Sequence, residues 1–249
     1  MLLCQSFSGS RRSQGFEVSH KMQKLLLLWD IDGTILTSGG AGMKALCAAL
    51  HAVFGVSGSL AGIEFAGRTD PWIIRQIFAR FGIENTQENV ASYLDGYIAA
   101  LPGILAKCNA SVLPGVSEIL VRASEHPGVA LGLVTGNFRR SAQAKLGFHG
   151  LWGYFPIGAF ADDSEIRDEL GPHALRRARG HWGVDFPAER VWIVGDTPYD
   201  IFCARAFGAR VLAVATGGSN VSELVAHRPD AVLEHLGDPA AFWRVVGPY

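Results

Sequence analysis

The run Leu25-Leu26-Leu27-Leu28-Trp29 feeds straight into Asp30-Ile31-Asp32-Gly33-Thr34, and no other stretch constrains the fold as tightly. The apolar run is short, has no polar face and is closed by a glycine. It therefore reads as a strand buried on both sides, as in a parallel sheet. Successive side chains of a strand alternate, so Asp30 and Asp32 share one side while Ile31 takes the other. Two carboxylates at the end of a buried strand repel each other and are costly to desolvate. A bound divalent cation removes that difficulty, and the carboxyl ends of strands are where open α/β sheets hold ligands.

From residue 115 onward the chain alternates between helical and strand patterns. Pro114-Gly115 opens a helix carrying Val116, Ile119, Leu120 and Ala123, and the apolar strand Val129–Val134 ends in Thr135-Gly136-Asn137. A helix from Phe138 to Leu146, closed by Gly147, leads to a weak strand over Ile157–Phe160 and the acidic loop Ala161–Ser164. An arginine-rich helix over 172–179 follows. The strand Val191–Asp196 then gives way at Thr197-Pro198 to another helix, and strands over 210–215 and 231–233 complete the set. Such alternation predicts an α/β fold with a doubly wound parallel sheet. Residues 37–112 differ, with helical spacing over 42–54, a helix opened by Asp70-Pro71, and a third from Gln87 to Lys107 interrupted at Pro102-Gly103. Little there looks like strand. The predicted organisation is a core of residues 22–36 and 113–249 with a helical insert at 37–112.

Composition excludes several classes of function. At 249 residues, 49% hydrophobic and 18% charged, the chain can bury a substantial core. A formal net charge of −1 gives no electrostatic case for nucleic acid or an anionic membrane as partner. No apolar run approaches the roughly 18 residues of a membrane span. The four cysteines, at 4, 47, 108 and 203, are scattered without a C-x-x-C pair, which fits a reducing, cytoplasmic setting rather than a disulfide or zinc framework. Residues 1–21 read as a disordered polar extension. Arg11-Arg12 is not taken as an export signal, because the apolar run behind it is the strand that carries Asp30.

Asp30-Ile31-Asp32-Gly33-Thr34 resembles the first motif of the haloacid dehalogenase superfamily, whose members are mostly Mg²⁺-dependent phosphatases. Thr135-Gly136-Asn137 and Gly195-Asp196-Thr197-Pro198-Tyr199-Asp200 resemble its second and fourth motifs, in the same order. The resemblance implies that Asp30 is the nucleophile that forms an aspartyl-phosphate, and that Asp32 is the general acid and base. It also implies that Thr135 and the backbone amides of Gly136 and Asn137, beside Gly33, hold phosphate oxygens. Mg²⁺ would be held by Asp30, the Asp32 carbonyl and Asp196, with Asp200 on metal-bound water. The family's third motif usually carries a lysine followed by proline, which this chain lacks. Arg167 takes that place by position.

The insert is similar to the family's helical C1 cap, and Gly67-Arg68-Thr69-Asp70 resembles a loop that reaches the site in phosphoglycolate-phosphatase-like members. Arg68 could read a substrate carboxylate or phosphate, with Asp70 beside it. The activity that the resemblance implies is hydrolysis of a small phosphomonoester, with a phosphoglycolate-like substrate. A β-phosphoglucomutase-type phosphomutase shares the whole motif set, and a metabolite-binding module with vestigial chemistry is the alternative from another class.

Overall fold

The computed structural model describes residues 24–247, so the extension expected at residues 1–21 lies outside the described residues. The chain runs β1 (Leu25–Trp29), β2 (Leu36–Thr37), α1 (Ala41–Phe54), α2 (Asp70–Phe81), α3 (Gln87–Leu105) and β3 (Ser111–Val112). It continues through α4 (Val116–Glu125), β4 (Val129–Val134), α5 (Arg139–Phe148), β5 (Ile157–Ala159), α6 (Leu170–Trp182) and β6 (Val191–Gly195). Then follow α7 (Pro198–Ala206), β7 (Arg210–Val214), α8 (Val221–Ala226), β8 (Ala231–Leu233) and α9 (Pro239–Val246).

Six strands form one parallel sheet in the order β5-β4-β1-β6-β7-β8. β1 is central, flanked by β4 and β6, and every one of its residues is buried. The two-residue period assigns its side chains to opposite layers. Leu25, Leu27, Trp29 and Ile31 join the cluster under α4 and α9, where Trp29 stacks on Phe242 with ring centroids 5.5 Å apart. Leu26 and Leu28 join the cluster under α6 and α7. The chain winds outward from β1 through β4 to β5, then returns to the other side of β1 and winds out again through β6. The carboxyl end of β1 is thus the switch point at which a doubly wound sheet opens a crevice.

Between β2 and β3 the three helices α1, α2 and α3 bury a cluster of their own, with Phe54, Phe78 and Tyr93 ring to ring and the Tyr93 hydroxyl donating to the Leu46 carbonyl at 2.9 Å. Expecting little strand in this region misses the junction itself. Leu36–Thr37 and Ser111–Val112 pair antiparallel, so the segments entering and leaving the insert are zipped together. Two-residue strands carry no readable period, and only the return of the chain brings them side by side. The α3 helix also passes through Pro102 without the expected break. Proline removes one hydrogen bond, to the carbonyl four residues back, and here the helix ends three residues later. Gly147 does not close α5, which continues to Phe148, because the left-handed conformation that ends it is taken by Gly150, with φ 71°.

Candidate active site

Asp30 stands one residue beyond β1 and continues its ladder, its N–H donating to the Val194 carbonyl at 2.9 Å. It is buried, and the alternation that sends Ile31 into the core turns Asp30 and Asp32 to one cavity of about 450 Å³. Gly33 turns the chain with φ 80°, and a Cβ there would come within 2.5 Å of the Asp196 carboxylate, so only glycine fits. Asp196 follows β6 directly. Its Oδ1 accepts from the Thr34 hydroxyl at 3.2 Å and its Oδ2 from the Gly218 N–H at 2.8 Å.

Carboxylate oxygens of Asp30, Asp196 and Asp200 lie within 4.8 Å of one another, all buried. Burial pushes the Asp30 carboxyl up to about 6, with Asp200 and Asp32 adding to the effect and Arg167 opposing it. Burial likewise raises Asp196, to about 8, reinforced by the charges of Asp200 and Asp30. Carboxylates packed this closely favour a small hard cation with oxygen ligands, so the donor set fits a divalent metal of the Mg²⁺ kind. Asp200 has a second engagement. Its Oδ1 accepts from Arg167 Nη2, and its Oδ2 accepts from the Thr197 amide at 3.1 Å and hydroxyl at 2.9 Å, in a capping box that starts α7.

Arg167 lies in a single 3₁₀ turn ahead of α6 and is buried. Its Nη2 is 3.3 Å from Asp30 Oδ1 and also bonds Asp200, so one guanidinium joins the end of β1 to the first turn of α7. On the β4 side, Gly136 and Asn137 line the cavity. Thr135 is fully buried beneath them, its Oγ1 accepting from the Asn137 side-chain amide at 2.8 Å and from its backbone N–H at 3.3 Å.

The sequence model for haloacid dehalogenase-like hydrolases matches residues 27–205, from within β1 into α7, and covers Asp30, Asp32, Thr135, Arg167, Asp196 and Asp200. The chain belongs to that family. A phosphoglycolate phosphatase of Mesorhizobium japonicum is 26% identical over 220 residues, covering 86% of this chain and 92% of the relative. The pyrophosphatase PpaX of Bacillus pumilus is 32% identical over 111 residues, 45% of this chain and 50% of that protein. Among solved structures, CbbY from Rhodobacter sphaeroides in complex with phosphate superimposes with a TM-score of 0.69 at 18% identity, covering 86% of this chain and 96% of that one. At that identity the likeness is one of fold. With its family motifs and phosphatase-named relatives, this chain is a phosphatase of the haloacid dehalogenase class.

The insert of this hydrolase is docked onto its sheet through the loop at 67–70. Asp70 N–H donates to the Gly136 carbonyl at 2.7 Å, and a Cβ on Gly136 would collide with the Arg68 carbonyl. Thr69 Oγ1 donates to the Glu165 carbonyl at 2.8 Å, and Arg167 Nη1 donates to the Gly67 carbonyl at 3.1 Å. Asp70 does not cap its own helix. Its Oδ2 accepts from the Phe138 N–H and the Ser141 hydroxyl, both at 2.8 Å, and so caps α5 on the sheet side. Arg68 lines the cavity, yet its guanidinium is already partnered. It lies 4.4 Å from the Trp72 ring and 4.6 Å from that of Tyr199, and bonds Glu64 from Nη2 at 2.6 Å and Nε at 3.0 Å.

Two features of the site escape the motif reading. Lys145, on α5, donates to Asp32 Oδ2 and Asn137 Oδ1, each at 2.6 Å. Burial opposes its charge, but Asp32 and Asp70 outweigh that and hold the ammonium above its ordinary range. The available signal was its position four residues after Ser141 and one before the buried Leu146, which puts a lysine on the inner face of the helix. The loop after β7 is the second feature. Thr216 Oγ1 donates to the Gly33 carbonyl at 2.6 Å, while Gly217 abuts Asp196 so closely that no Cβ fits. Thr216-Gly217-Gly218 at a strand end was a readable turn, but nothing local tied it to Asp196.

Proposed function

We propose that this hydrolase is a Mg²⁺-dependent phosphatase acting on a small phosphomonoester of the phosphoglycolate class through an aspartyl-phosphate. The observation that carries the reading is the pair Asp30 and Asp32 on one cavity wall, with Arg167 against the first carboxylate and Lys145 against the second. Asp30, Asp196 and the Asp32 carbonyl would hold Mg²⁺, with Asp200 behind them; when bound, the ion neutralises charge on the transferring phosphoryl group.

In the first step an Asp30 oxygen bonds to phosphorus, the bond from phosphorus to the ester oxygen breaks, and Asp32 gives that oxygen a proton. In the second step Asp32 takes a proton from water, whose oxygen bonds to phosphorus while the bond to Asp30 breaks. Arg167 balances the charge of Asp30 throughout. The Gly136 and Asn137 amides are assigned to phosphate oxygens, with Gly33 leaving room beside them, and Thr135, buried beneath the cavity wall instead of lining it, is assigned to holding Asn137. Arg68 and Asp70 are assigned to closing the insert over the cavity, which excludes water.

The substrate class draws on the phosphoglycolate phosphatase relatives and on a cavity sized for a small molecule. No helix among the described residues is long and apolar enough to cross a membrane. The test is a panel of phosphorylated metabolites with and without Mg²⁺. It should include phosphoglycolate, pyrophosphate, a sugar 1-phosphate with its bisphosphate activator, and 4-nitrophenyl phosphate. Mg²⁺-dependent release of phosphate, lost in Asp30→Asn, is the expected result. Conversion of the sugar 1-phosphate to its 6-phosphate would instead make the protein a mutase, and wild-type turnover in Asp30→Asn would remove the covalent step.

A further inference from the structure

Lys145 occupies a place that the packing of α5 does not require. It is 6% exposed, on a helix face shared with Ala142 and Leu146, where an apolar side chain would fill the space without the cost of burying a charge. Its ammonium offers three donors, and two go to Asp32 Oδ2 and Asn137 Oδ1. Asn137 Nδ2 donates to the same Asp32 oxygen at 2.9 Å, which closes a triangle of Lys145, Asn137 and Asp32. Asp32 itself stands on a loop with its side chain 39% exposed at the cavity, and a lone carboxylate there could turn freely. Among the described residues every hydrogen bond to its carboxylate falls on Oδ2, so one oxygen is pinned and Oδ1 is left for chemistry.

We propose that Lys145 is a positioning residue that clamps Asp32 Oδ2, in concert with Asn137, so that Asp32 Oδ1 meets the leaving-group oxygen and then the attacking water. The inference rests on the phosphatase reading above. The protons move as before: Asp32 gives one to the departing ester oxygen and takes one from water, while Lys145 neither gains nor loses one. Arg167 orders the nucleophile on the β6 side, and Lys145 orders the acid-base group on the β4 side. The two cations thus serve different carboxylates and different parts of the reaction.

The leaving group separates this role from a structural one. An alkoxide needs a proton as it departs, whereas 4-nitrophenolate does not. Loss of the clamp should therefore lower kcat/KM for the alkyl phosphate that the wild type hydrolyses fastest by roughly 30–100-fold, the scale of a misplaced catalytic group. For 4-nitrophenyl phosphate, kcat/KM should fall by about threefold or less, while slowed hydrolysis of the aspartyl-phosphate produces a burst of about one nitrophenolate per enzyme. Lys145→Met tests this in Mg²⁺, beside Asp32→Asn and the double variant. Because the clamp acts through Asp32, adding Lys145→Met to Asp32→Asn should cost nothing further on the alkyl phosphate.

Equal losses on both substrates without a burst, or losses that multiply in the double variant, would overturn the clamp while leaving the phosphatase intact. A wild-type protein that releases phosphate from neither substrate would overturn the underlying phosphatase reading instead. Should Lys145→Met alone fail to fold, the double variant removes both charges together. Its rate against Asp32→Asn then decides the matter.

Discussion

Asp70 and Phe138 are joined across the two parts of the chain: a carboxylate from the helical insert accepts the N–H at the head of a sheet-side helix, at 2.8 Å. The same oxygen takes the Ser141 hydroxyl. Phe138, the N-cap of α5, makes no side-chain cap of its own. Asp162 takes the N–H of Arg139 from the sheet side at 2.6 Å, and Asp70 takes that of Phe138, which binds insert to sheet in one contact.

Asp70→Ala should lower stability by about 1–2 kcal/mol, the cost of a lost cap at a partly buried site. For a chain of this size that is roughly a 2–8 °C fall in Tm. The same change should raise KM, because the loop at 67–70 loses a tether next to Gly136. A thermal melt and a substrate titration check both. An unchanged Tm would mean that the Phe138 N–H finds another partner.

Arg167 should tolerate lysine poorly and methionine worse. Its guanidinium meets Asp30, Asp200 and the Gly67 carbonyl together, and the single ammonium of lysine cannot reproduce that fork. Arg167→Met strips a buried pair of its cation, a change that typically costs about 3–5 kcal/mol, and kcat should fall with it. Arg167→Lys should keep the fold and recover part of the rate. Wild-type kcat in the methionine variant would separate this residue from the chemistry.

Arg68→Ala should reduce kcat/KM by a similar factor on every phosphomonoester. The guanidinium is held between Trp72 and Tyr199 and bonded to Glu64, so it ties α2 to α7. Comparing the loss on phosphoglycolate with that on 4-nitrophenyl phosphate checks this. A loss confined to phosphoglycolate would show that Arg68 leaves its aromatic stack to meet the substrate carboxylate.

Chelation should make stability depend on pH in a direction opposite to ordinary acid denaturation. Asp30 and Asp196 have their folded-state carboxyls raised by burial, to about 6 and about 8. Between the unfolded value of about 4 and these folded values, the native state binds more protons than the unfolded chain. Stability from this pair is present at low pH and is lost as pH rises through about 8. Mg²⁺ bound to the ionised carboxylates reverses the loss, so the gap in Tm between Mg²⁺ and chelator should widen from pH 5 to 8.5. Melts on a pH series in both conditions measure it, and a gap constant with pH would count against metal binding by these carboxylates.

Local sequence determined much of this protein. A short apolar run alternates by two, so Leu25–Trp29 is committed to a buried strand and Asp30 and Asp32 to one side of it, whatever lies around them. A strand ending in Gly195-Asp196 delivers a carboxylate to the same sheet edge, because parallel strands joined by right-handed crossovers end together. Asp30 and Asp196 could therefore be placed at one sheet edge before their distances were known, whereas Asn137 and Arg167 were named only through the resemblance to the family's second and third motifs.

Tertiary structure decided what each charge touches. Asp70 and Arg68 sit in a segment whose sequence offers ordinary local roles, a helix cap and a solvated arginine. Their partners Phe138 and Tyr199 are supplied only once the insert folds back over the sheet. The β2 and β3 strands are too short to announce themselves and exist only because the chain returns to where it left. Lys145 is the sharpest case. Periodicity places it on the inner face of α5, but no carboxylate lies within ten residues, and its local partner, Asn137, is neutral. Its counter-charge, Asp32, comes from 113 positions away, and the energy of a buried ion pair depends on that distant partner rather than on any local pattern.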